Sequence, residues 1–153
     1  MSLPRSADLV IVGAGCIGSS IAYHLTRRGI APLVIEREKF AAAGSTGVCA
    51  GGVRQQFSTR VNVLLSKVSI EAFARMNDEL AYESELYWPV GYLFCLTDAA
   101  RWARFQKDVA MQRELGVAVE TLTPADVARR WPLLETSDLV GPSGRSRTPP
   151  PSG

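Results

Sequence analysis

Three glycines near the start of the chain have the spacing of a phosphate-binding turn. Gly13, Gly15 and Gly18 follow an apolar run at 9–12 and precede a stretch of helical periodicity. The first glycine permits a sharp turn, the second lets the backbone approach a pyrophosphate, and the third lets the helix pack closely on its strand. Because the first amides of the helix and the positive end of its dipole would face this turn, the spacing predicts a dinucleotide site.

A carboxylate follows the second predicted strand at the distance expected for a ribose-binding acid. The apolar run at 33–35 ends at Glu36, eighteen positions after Gly18, where a carboxylate can accept hydrogen bonds from ribose hydroxyls. The intervening helix is predicted to bury a stripe of residues spaced by four, namely Ile17, Ile21 and Leu25. Strand, turn, helix, strand and acid in this order predict an α/β fold with a Rossmann-type βαβ unit.

A loop rich in small residues follows at 40–58. Its glycines and hydroxyl groups favour backbone that passes close to a flat or phosphorylated group, while its Val, Cys and Phe content disfavours a mobile linker. Arg54 in this loop could pair with a substrate carboxylate through two parallel hydrogen bonds, or could contact only the protein.

The rest of the chain predicts a mixture of helices and strands. The first helix after the loop has an apolar face formed by Val61, Leu64, Leu65, Val68, Phe73, Met76 and Leu80. A strand is predicted over 89–96, then a helix capped by Asp98, a strand over 117–122 and a helix capped by Thr123. The aromatic residues recur at helical or strand period and are predicted to be core rather than a ligand cage.

Composition limits the class of protein and its partners. Of the 153 residues, 46% are hydrophobic and 21% are charged, which is typical of a globular domain. The net charge of +2 gives no reason to expect a nucleic-acid partner, and no apolar run has the length of a membrane span. The start lacks the apolar region of a secretory signal, and three cysteines without metal-ligand spacing favour a reducing, cytoplasmic setting.

Few residues could act as independent catalytic or metal-binding groups. His24 is the only histidine, which excludes a Ser-His-Asp arrangement and a site built from several histidines, and no metal is predicted. Cys16 begins the predicted helix, where a thiol can be activated, although a small residue that fits the turn is the simpler interpretation. Glu83 and Glu85 lie in a polar stretch and are interpreted as solvated rather than as a catalytic acid pair.

Together these motifs resemble the N-terminal part of the FAD-dependent amino acid oxidase superfamily, which includes glycine, sarcosine and dimethylglycine oxidases and dehydrogenases and D-amino acid oxidase. The resemblance extends over roughly residues 7–140. Its elements are 8–18 with Glu36 and Arg37, 44–46 with 50–55, and 90–94 with 113–117. The loop after the ribose acid separates this family from nicotinamide dehydrogenases.

The resemblance implies FAD as the cofactor. The implied contact residues are Gly13, Ala14, Gly15, Cys16, Ile17, Gly18, Glu36, Arg37, Ser45, Thr46, Gly51, Gly52 and Val53. Among these, the glycine turn would hold the pyrophosphate, Glu36 the adenosine ribose, and Arg37 would lie beside the adenine. Ser45 and Thr46 would contact the pyrophosphate or the ribityl chain, while 51–53 would run beside the isoalloxazine.

The reaction implied by the resemblance is the oxidation of a small amine or amino acid. A hydride passes from the carbon beside the amine to the flavin, and water hydrolyses the resulting imine. Arg54 and Gln55 would lie where the loop nears the reacting side of the flavin, and Cys49 is an alternative point of covalent flavin attachment. Relatives that attach flavin through a histidine match near Val48, which cannot form that bond. Two other functions stay open: half of an NAD-dependent dehydrogenase, and a non-catalytic nucleotide-binding remnant.

The predicted organisation is an incomplete member of this fold. Residues 1–140 would form its N-terminal part, with 7–60 as the FAD-binding βαβ unit and flavin loop and 61–140 as the start of an α+β substrate domain. Residues 141–153, rich in Pro, Ser and Arg, are predicted to be a disordered tail. Because family members are far longer, the chain is expected to be a truncated or frameshifted product, with a natural short product as the alternative, and to be inactive alone.

Overall fold

The chain divides into two compact units, Met1–Gly52 and Val53–Gly153. The computed structural model describes residues 4–141 and 143–146. Among the described residues, the first unit contains one helix and a two-stranded sheet, and the second contains the other helices and a three-stranded sheet. The functional boundary expected after residue 60 stays a prediction, because compactness of the backbone does not assign function.

The first unit is a parallel strand-helix-strand arrangement. β1 (Val10–Val12) leads through the glycine turn into α1 (Cys16–Thr26), and β2 (Leu33–Ile35) pairs with β1 in parallel. Val12 aligns with Ile35, so the two strands end at the same edge. The glycine turn after β1 and the acid after β2 are therefore neighbours, as the carboxyl ends of parallel strands require. The predicted Rossmann-type unit is confirmed.

The predicted buried stripe of α1 is wrong. Ile17 is 72% exposed, Ile21 is 46% exposed, and Leu25 is only partly buried. Gly18 is the buried residue of this helix, and it faces Ile11 of β1. Two strands of three residues offer too narrow a face to cover an 11-residue helix, so its apolar side stays open to solvent within the described residues.

The second unit combines helices with an antiparallel sheet. Its elements are α2 (Arg60–Ala74), α3 (Met76–Leu80), β3 (Tyr92–Phe94), α4 (Ala99–Glu114), β4 (Val119–Leu122), α5 (Pro124–Arg130) and β5 (Ser143–Ser146). The described strands lie in the order β3-β5-β4. Both predicted helix caps are present: the Asp98 carboxylate accepts a hydrogen bond from the Arg101 N–H at 2.7 Å, and Thr123 and Asp126 form a reciprocal capping box.

Residues 143–146 form a strand rather than part of a disordered tail. β5 lies between β3 and β4 and pairs antiparallel with both, so backbone hydrogen bonds order it without apolar side chains. Gly144 is buried where a Cβ would overlap the ring of Phe105. The prediction was wrong at these residues because it relied on side-chain composition. Of the other residues of the predicted tail, Gly141 is described and has a φ of +89°, whereas residue 142 and residues 147–153 lie outside the described residues.

The face of α2 that is buried in the core of the second unit differs from the predicted apolar face. The core cluster consists of Val63, Val109, Val117 and Val119. Val63 and Ile70 are the buried residues of α2. The exposed apolar residues of this helix, here named the α2 stripe, are Val61, Leu64, Leu65 and Val68. The helix carries two apolar faces, and packing against α4 buries the one that contains Val63.

Leu65→Lys is expected to reduce self-association of the chain without weakening its fold. Contiguous exposed apolar surface promotes association, and Leu65 is 61% exposed, so a lysine at this position stays hydrated. We expect the wild-type chain to associate with rising concentration and to bind an apolar dye, and Leu65→Lys to lower both. The free energy of unfolding should change by less than about 0.5 kcal/mol. Light scattering, dye fluorescence and denaturant unfolding measure these quantities.

Val63→Lys is the matched control on the same helix. Val63 has no exposed surface, so a lysine there would bury an unpaired charge and should unfold the second unit. A wild-type chain that stays monomeric at every concentration, with one cooperative unfolding transition, would contradict the prediction for Leu65.

Candidate cofactor-binding site

The glycine turn uses both the backbone freedom and the small size of glycine. Gly13 has a φ of +97°, and its N–H donates to the Ile35 carbonyl at 2.7 Å, which joins the turn to the end of β2. A Cβ on Gly18 would overlap the carbonyl oxygen of Gly13. Together these two glycines set how closely the N-terminus of α1 approaches the strands.

At the N-terminus of α1, no side chain of the N-cap residue accepts a hydrogen bond from the first backbone N–H groups. Gly15 is the N-cap and has no side chain, and the first turn contains no acidic residue. The Cys16 N–H donates to Thr46 Oγ1 at 3.0 Å, whereas those of Ile17 and Gly18 have no acceptor within the described residues. Unsatisfied amides at the positive end of a helix dipole favour an anion, so the arrangement fits a phosphate group.

Part of the small-residue loop is joined to this turn by hydrogen bonds. The Ala42 N–H donates to the Ala14 carbonyl at 2.9 Å, and Thr46 accepts from the helix as described above. A Cβ on Gly15 would lie 3.2 Å from Thr46 Oγ1, so glycine at that position gives the hydroxyl room. Ser45 is exposed. Of the two hydroxyl residues predicted to contact a cofactor, Thr46 is the one that contacts the turn.

Both carboxylate oxygens of Glu36 accept backbone hydrogen bonds. Oε2 accepts from the Ala14 N–H at 2.7 Å, and Oε1 accepts from the Glu38 N–H at 3.0 Å. The N–H groups of Glu38 and, next in size of effect, Ala14 hold the pKa of Glu36 below its ordinary value. A carboxylate has about four acceptor positions, so the two that remain fit a pair of hydroxyl donors such as a ribose diol.

The other residues of the implied cofactor set are more open to solvent. The Arg37 side chain is 90% exposed and pairs with Glu38 at 3.1 Å. Gly51 has a φ of +72°, its N–H donates to Cys49 Sγ at 3.3 Å, and the two residues after it are exposed. The exposed free cysteines are Cys16, Cys49 and Cys95. These contacts assign no ligand to 51–53, whose role stays a prediction.

Arg54 lies in the second unit, among aromatic rings that were predicted from their periodicity to be core. Its Cζ is 4.9 Å from the ring centroid of Phe57, 5.2 Å from that of Phe94 and 5.8 Å from that of Tyr92. Tyr92 and Phe94 are two positions apart on β3 and therefore share one face of the strand. That spacing is visible in the sequence, but it does not show that Arg54 packs on this face.

Three other candidate residues lie outside these two groups. His24 is exposed and its ring is 5.2 Å from that of Tyr23 in an edge-to-face arrangement. Glu83 and Glu85 are exposed, as expected for solvated acids.

Among the described residues, no group of three or more His, Cys, Asp or Glu could hold a metal ion. Over the same part of the chain, no helix combines the length and the apolar character needed to cross a bilayer.

The part of the chain that contains these features matches a known protein family. The family model for FAD dependent oxidoreductases (DAO) matches residues 8–146 of the chain. The chain therefore belongs to the FAD-dependent oxidoreductase family, whose cofactor is FAD. The glycine turn, the N-terminus of α1 and Glu36 all lie inside the matched region.

Individual relatives show how much of the family fold is present. FAD-dependent oxidoreductase domain-containing protein 1 from Bos taurus is 36% identical over 147 residues, covering 90% of this chain and 30% of that protein. Mitochondrial sarcosine dehydrogenase from Homo sapiens is 28% identical over 142 residues, covering 91% of this chain and 15% of that protein. The crystal structure of L-proline dehydrogenase from P. horikoshii has a TM-score of 0.83 at 32% identity, covering 97% of this chain and 39% of that chain. The chain thus spans less than half the length of these relatives.

Proposed function

We propose that this chain is the cofactor-binding N-terminal part of an FAD-dependent oxidoreductase that acts on a small amine or amino acid. The observation that carries the proposal is the pairing of a helix N-terminus with unsatisfied amides and an ionised Glu36, at the common edge of two parallel strands. The amides can bind a pyrophosphate and the carboxylate can accept from a ribose, which are the polar parts of an adenine dinucleotide.

Each residue of the turn has a defined part in this proposal. The N–H groups of Ile17 and Gly18 would bind pyrophosphate oxygens. Thr46 accepts from Cys16, which leaves its own hydroxyl proton for a phosphate oxygen. Glu36 would accept from the ribose hydroxyls, and a 2′-phosphate at that position would be repelled, so NADP should be excluded.

The names of two relatives support the proposed substrate class. FAD, when bound, accepts a hydride from the carbon beside an amine, and the resulting imine is hydrolysed by water. Sarcosine and L-proline, which appear in the names of two relatives, each carry a secondary amine and a carboxylate. We extend this class to the present chain and propose that the Arg54 guanidinium binds the substrate carboxylate.

A second candidate function is a nucleotide-binding remnant without activity. The α2 stripe and the open apolar side of α1 favour it, because apolar surfaces of this kind are usually covered in a complete domain. Both candidates share the cofactor site, and the proposal includes inactivity of this chain by itself. A reducing, cytoplasmic setting is proposed with either function, in keeping with the three exposed free cysteines.

Glu36→Ala tests the cofactor site. We expect FAD affinity to fall by about 10- to 100-fold, because hydrogen bonds from the ribose hydroxyls to an ionised carboxylate are stronger than bonds between neutral groups. Flavin fluorescence titration gives the affinity, and the FAD retained per chain after gel filtration gives the stoichiometry. Glu38→Ala is the control, since it removes a neighbouring carboxylate that pairs with Arg37. Equal flavin stoichiometry in wild type and Glu36→Ala would count against the role.

Acidification supplies a second measurement on the same carboxylate. The folded-state pKa of Glu36 is lowered, so its contribution to stability is complete above the unfolded-state pKa and is lost as the pH falls through the folded value. FAD affinity depends on the same carboxylate being ionised in the folded chain, so it should stay level through neutral pH and decline only below about pH 4.3, the ordinary pKa of glutamate. Glu36→Gln should remove part of that decline.

A further inference from the structure

In the part of the chain that the structure describes, the Arg54 guanidinium lies among aromatic rings of the second unit and has no acidic partner. Arg54 is partly buried, and it makes no hydrogen bond or ion pair with any residue that the structure describes. Partial burial withdraws water from the cation, and its N–H groups make no hydrogen bond to the Tyr92 hydroxyl or to any other group that the structure describes. A guanidinium in this state keeps its planar set of donors for an anion, and a carboxylate matches that set best.

The rings are themselves held in place by the core. Phe94 lies 5.8 Å from Tyr92 and 5.6 Å from Phe105 of α4, measured between ring centroids. Phe57 packs against the valine cluster, and its carbonyl accepts a hydrogen bond at 2.9 Å from Nε2 of Gln112, which is 1% exposed. The rings therefore form a surface whose position does not depend on Arg54.

We propose that Phe57, Tyr92 and Phe94, here named the aromatic cradle, are positioning residues that fix the Arg54 guanidinium for carboxylate binding. The inference rests on the proposed function, in which Arg54 meets the substrate carboxylate. Ring faces attract a cation electrostatically, so they restrain the guanidinium while leaving its N–H groups for the ligand. The cradle would thereby select amine substrates that carry a carboxylate over amines that lack one.

Removing a ring should weaken carboxylate binding even though no ring contacts the carboxylate. A leucine in place of Tyr92 or Phe94 would leave the Arg54 guanidinium more mobile and more hydrated. Binding of a carboxylate would then have to order the guanidinium and remove its water, which lowers the affinity. We expect the affinity for acetate, the simplest carboxylate, to fall by about threefold to tenfold for either variant. Tyr92→Phe keeps the ring and loses only the hydroxyl, so its affinity should match that of the wild-type chain.

Nuclear magnetic resonance on the dilute, arginine-15N-labelled chain measures this directly. The Arg54 Nε–Hε signal, assigned from its disappearance in Arg54→Lys, should be shifted by ring currents and should shift further as acetate is added. Arg101, an exposed arginine of α4, should respond weakly, and chloride at equal ionic strength should move neither signal specifically. Phe73→Leu is the matched control, since its ring stacks on Tyr87 and lies outside the cradle.

Each outcome of the titration decides the proposal. A selective Arg54 response that Tyr92→Leu and Phe94→Leu weaken, and that Tyr92→Phe and Phe73→Leu preserve, supports it. An Arg54 response equal to that of Arg101, or unchanged by loss of a ring, overturns it. Tyr92→Leu and Phe94→Leu are separate variants, so if one of them unfolds the other still removes a ring and decides the proposal. The titration involves no FAD, so its failure is distinguishable from failure of the Glu36 test.

Discussion

Gly18→Ala is expected to abolish FAD retention by this chain and to lower the free energy of unfolding by about 1–3 kcal/mol. The added Cβ would overlap the carbonyl oxygen of Gly13, so α1 must move away from the turn. That movement withdraws the N–H groups of Ile17 and Gly18 from the position proposed for the pyrophosphate. Each such bond to a charged group contributes about 1.5–3 kcal/mol, so affinity should fall by at least about tenfold.

Gly44→Ala is the matched control for this substitution. Gly44 lies in the same unit, no atom lies within 4 Å of a Cβ built on it, and it is not among the glycines with positive φ. Flavin fluorescence titration and denaturant unfolding should therefore separate the two variants. If Gly18→Ala binds FAD as tightly as Gly44→Ala does, the glycine turn is not the pyrophosphate site.

The second large effect concerns catalysis by the 153-residue chain by itself. Loaded with FAD, it is expected not to oxidise glycine, sarcosine, dimethylglycine, L-proline or D-amino acids, with rates below about 0.01 s⁻¹ against the 1–10³ s⁻¹ that is typical of enzymes. The reaction needs the donor carbon held against the flavin and water kept away from it. The chain covers 15–39% of the length of the sarcosine and proline dehydrogenases it matches, which leaves most of such an enclosure to other parts of the relatives.

Anaerobic bleaching of the flavin absorbance on addition of substrate measures this prediction. Reduction of the bound FAD by dithionite is the control, because it shows that the flavin can accept electrons. Rapid bleaching by sarcosine or L-proline, without added protein, would show that this chain already holds both substrate and flavin in a reactive geometry. Loss of that bleaching in Arg54→Lys would then assign the activity to the proposed carboxylate site.

The strand-turn-helix-strand unit and its acid could be predicted because their determinants are local. Gly13 is needed for a positive φ, and Gly18 is needed because a Cβ would meet the carbonyl of Gly13, five residues earlier in the chain. Glu36 directly follows β2, and parallel pairing with β1 brings it to the turn. The caps at Asp98 and Thr123 were predictable for the same reason, since each contact spans three residues.

The buried faces of the helices could not be predicted in this way. Both α1 and α2 carry apolar residues on more than one side, and the neighbouring elements determine which side is covered. Packing on α4 buries Val63 and leaves the α2 stripe exposed, while two short strands leave Ile17 exposed. The periodicity of apolar residues identifies a helix, but the elements that pack against the helix determine which of its sides is buried.

Contacts between distant parts of the chain were decided by the tertiary structure alone. β5 has few apolar residues, and it is ordered because β3 and β4 offer hydrogen bonds to both of its edges. Arg54 reaches Tyr92 and Phe94, which lie about forty residues further along the chain, because the fold of the second unit brings β3 beside Arg54. The sequence by itself determined the dinucleotide-binding turn, whose geometry is set by steric limits within a few residues. Only the tertiary structure decided that the aromatic rings pack around Arg54. That contact depends on packing between segments that are far apart in the sequence.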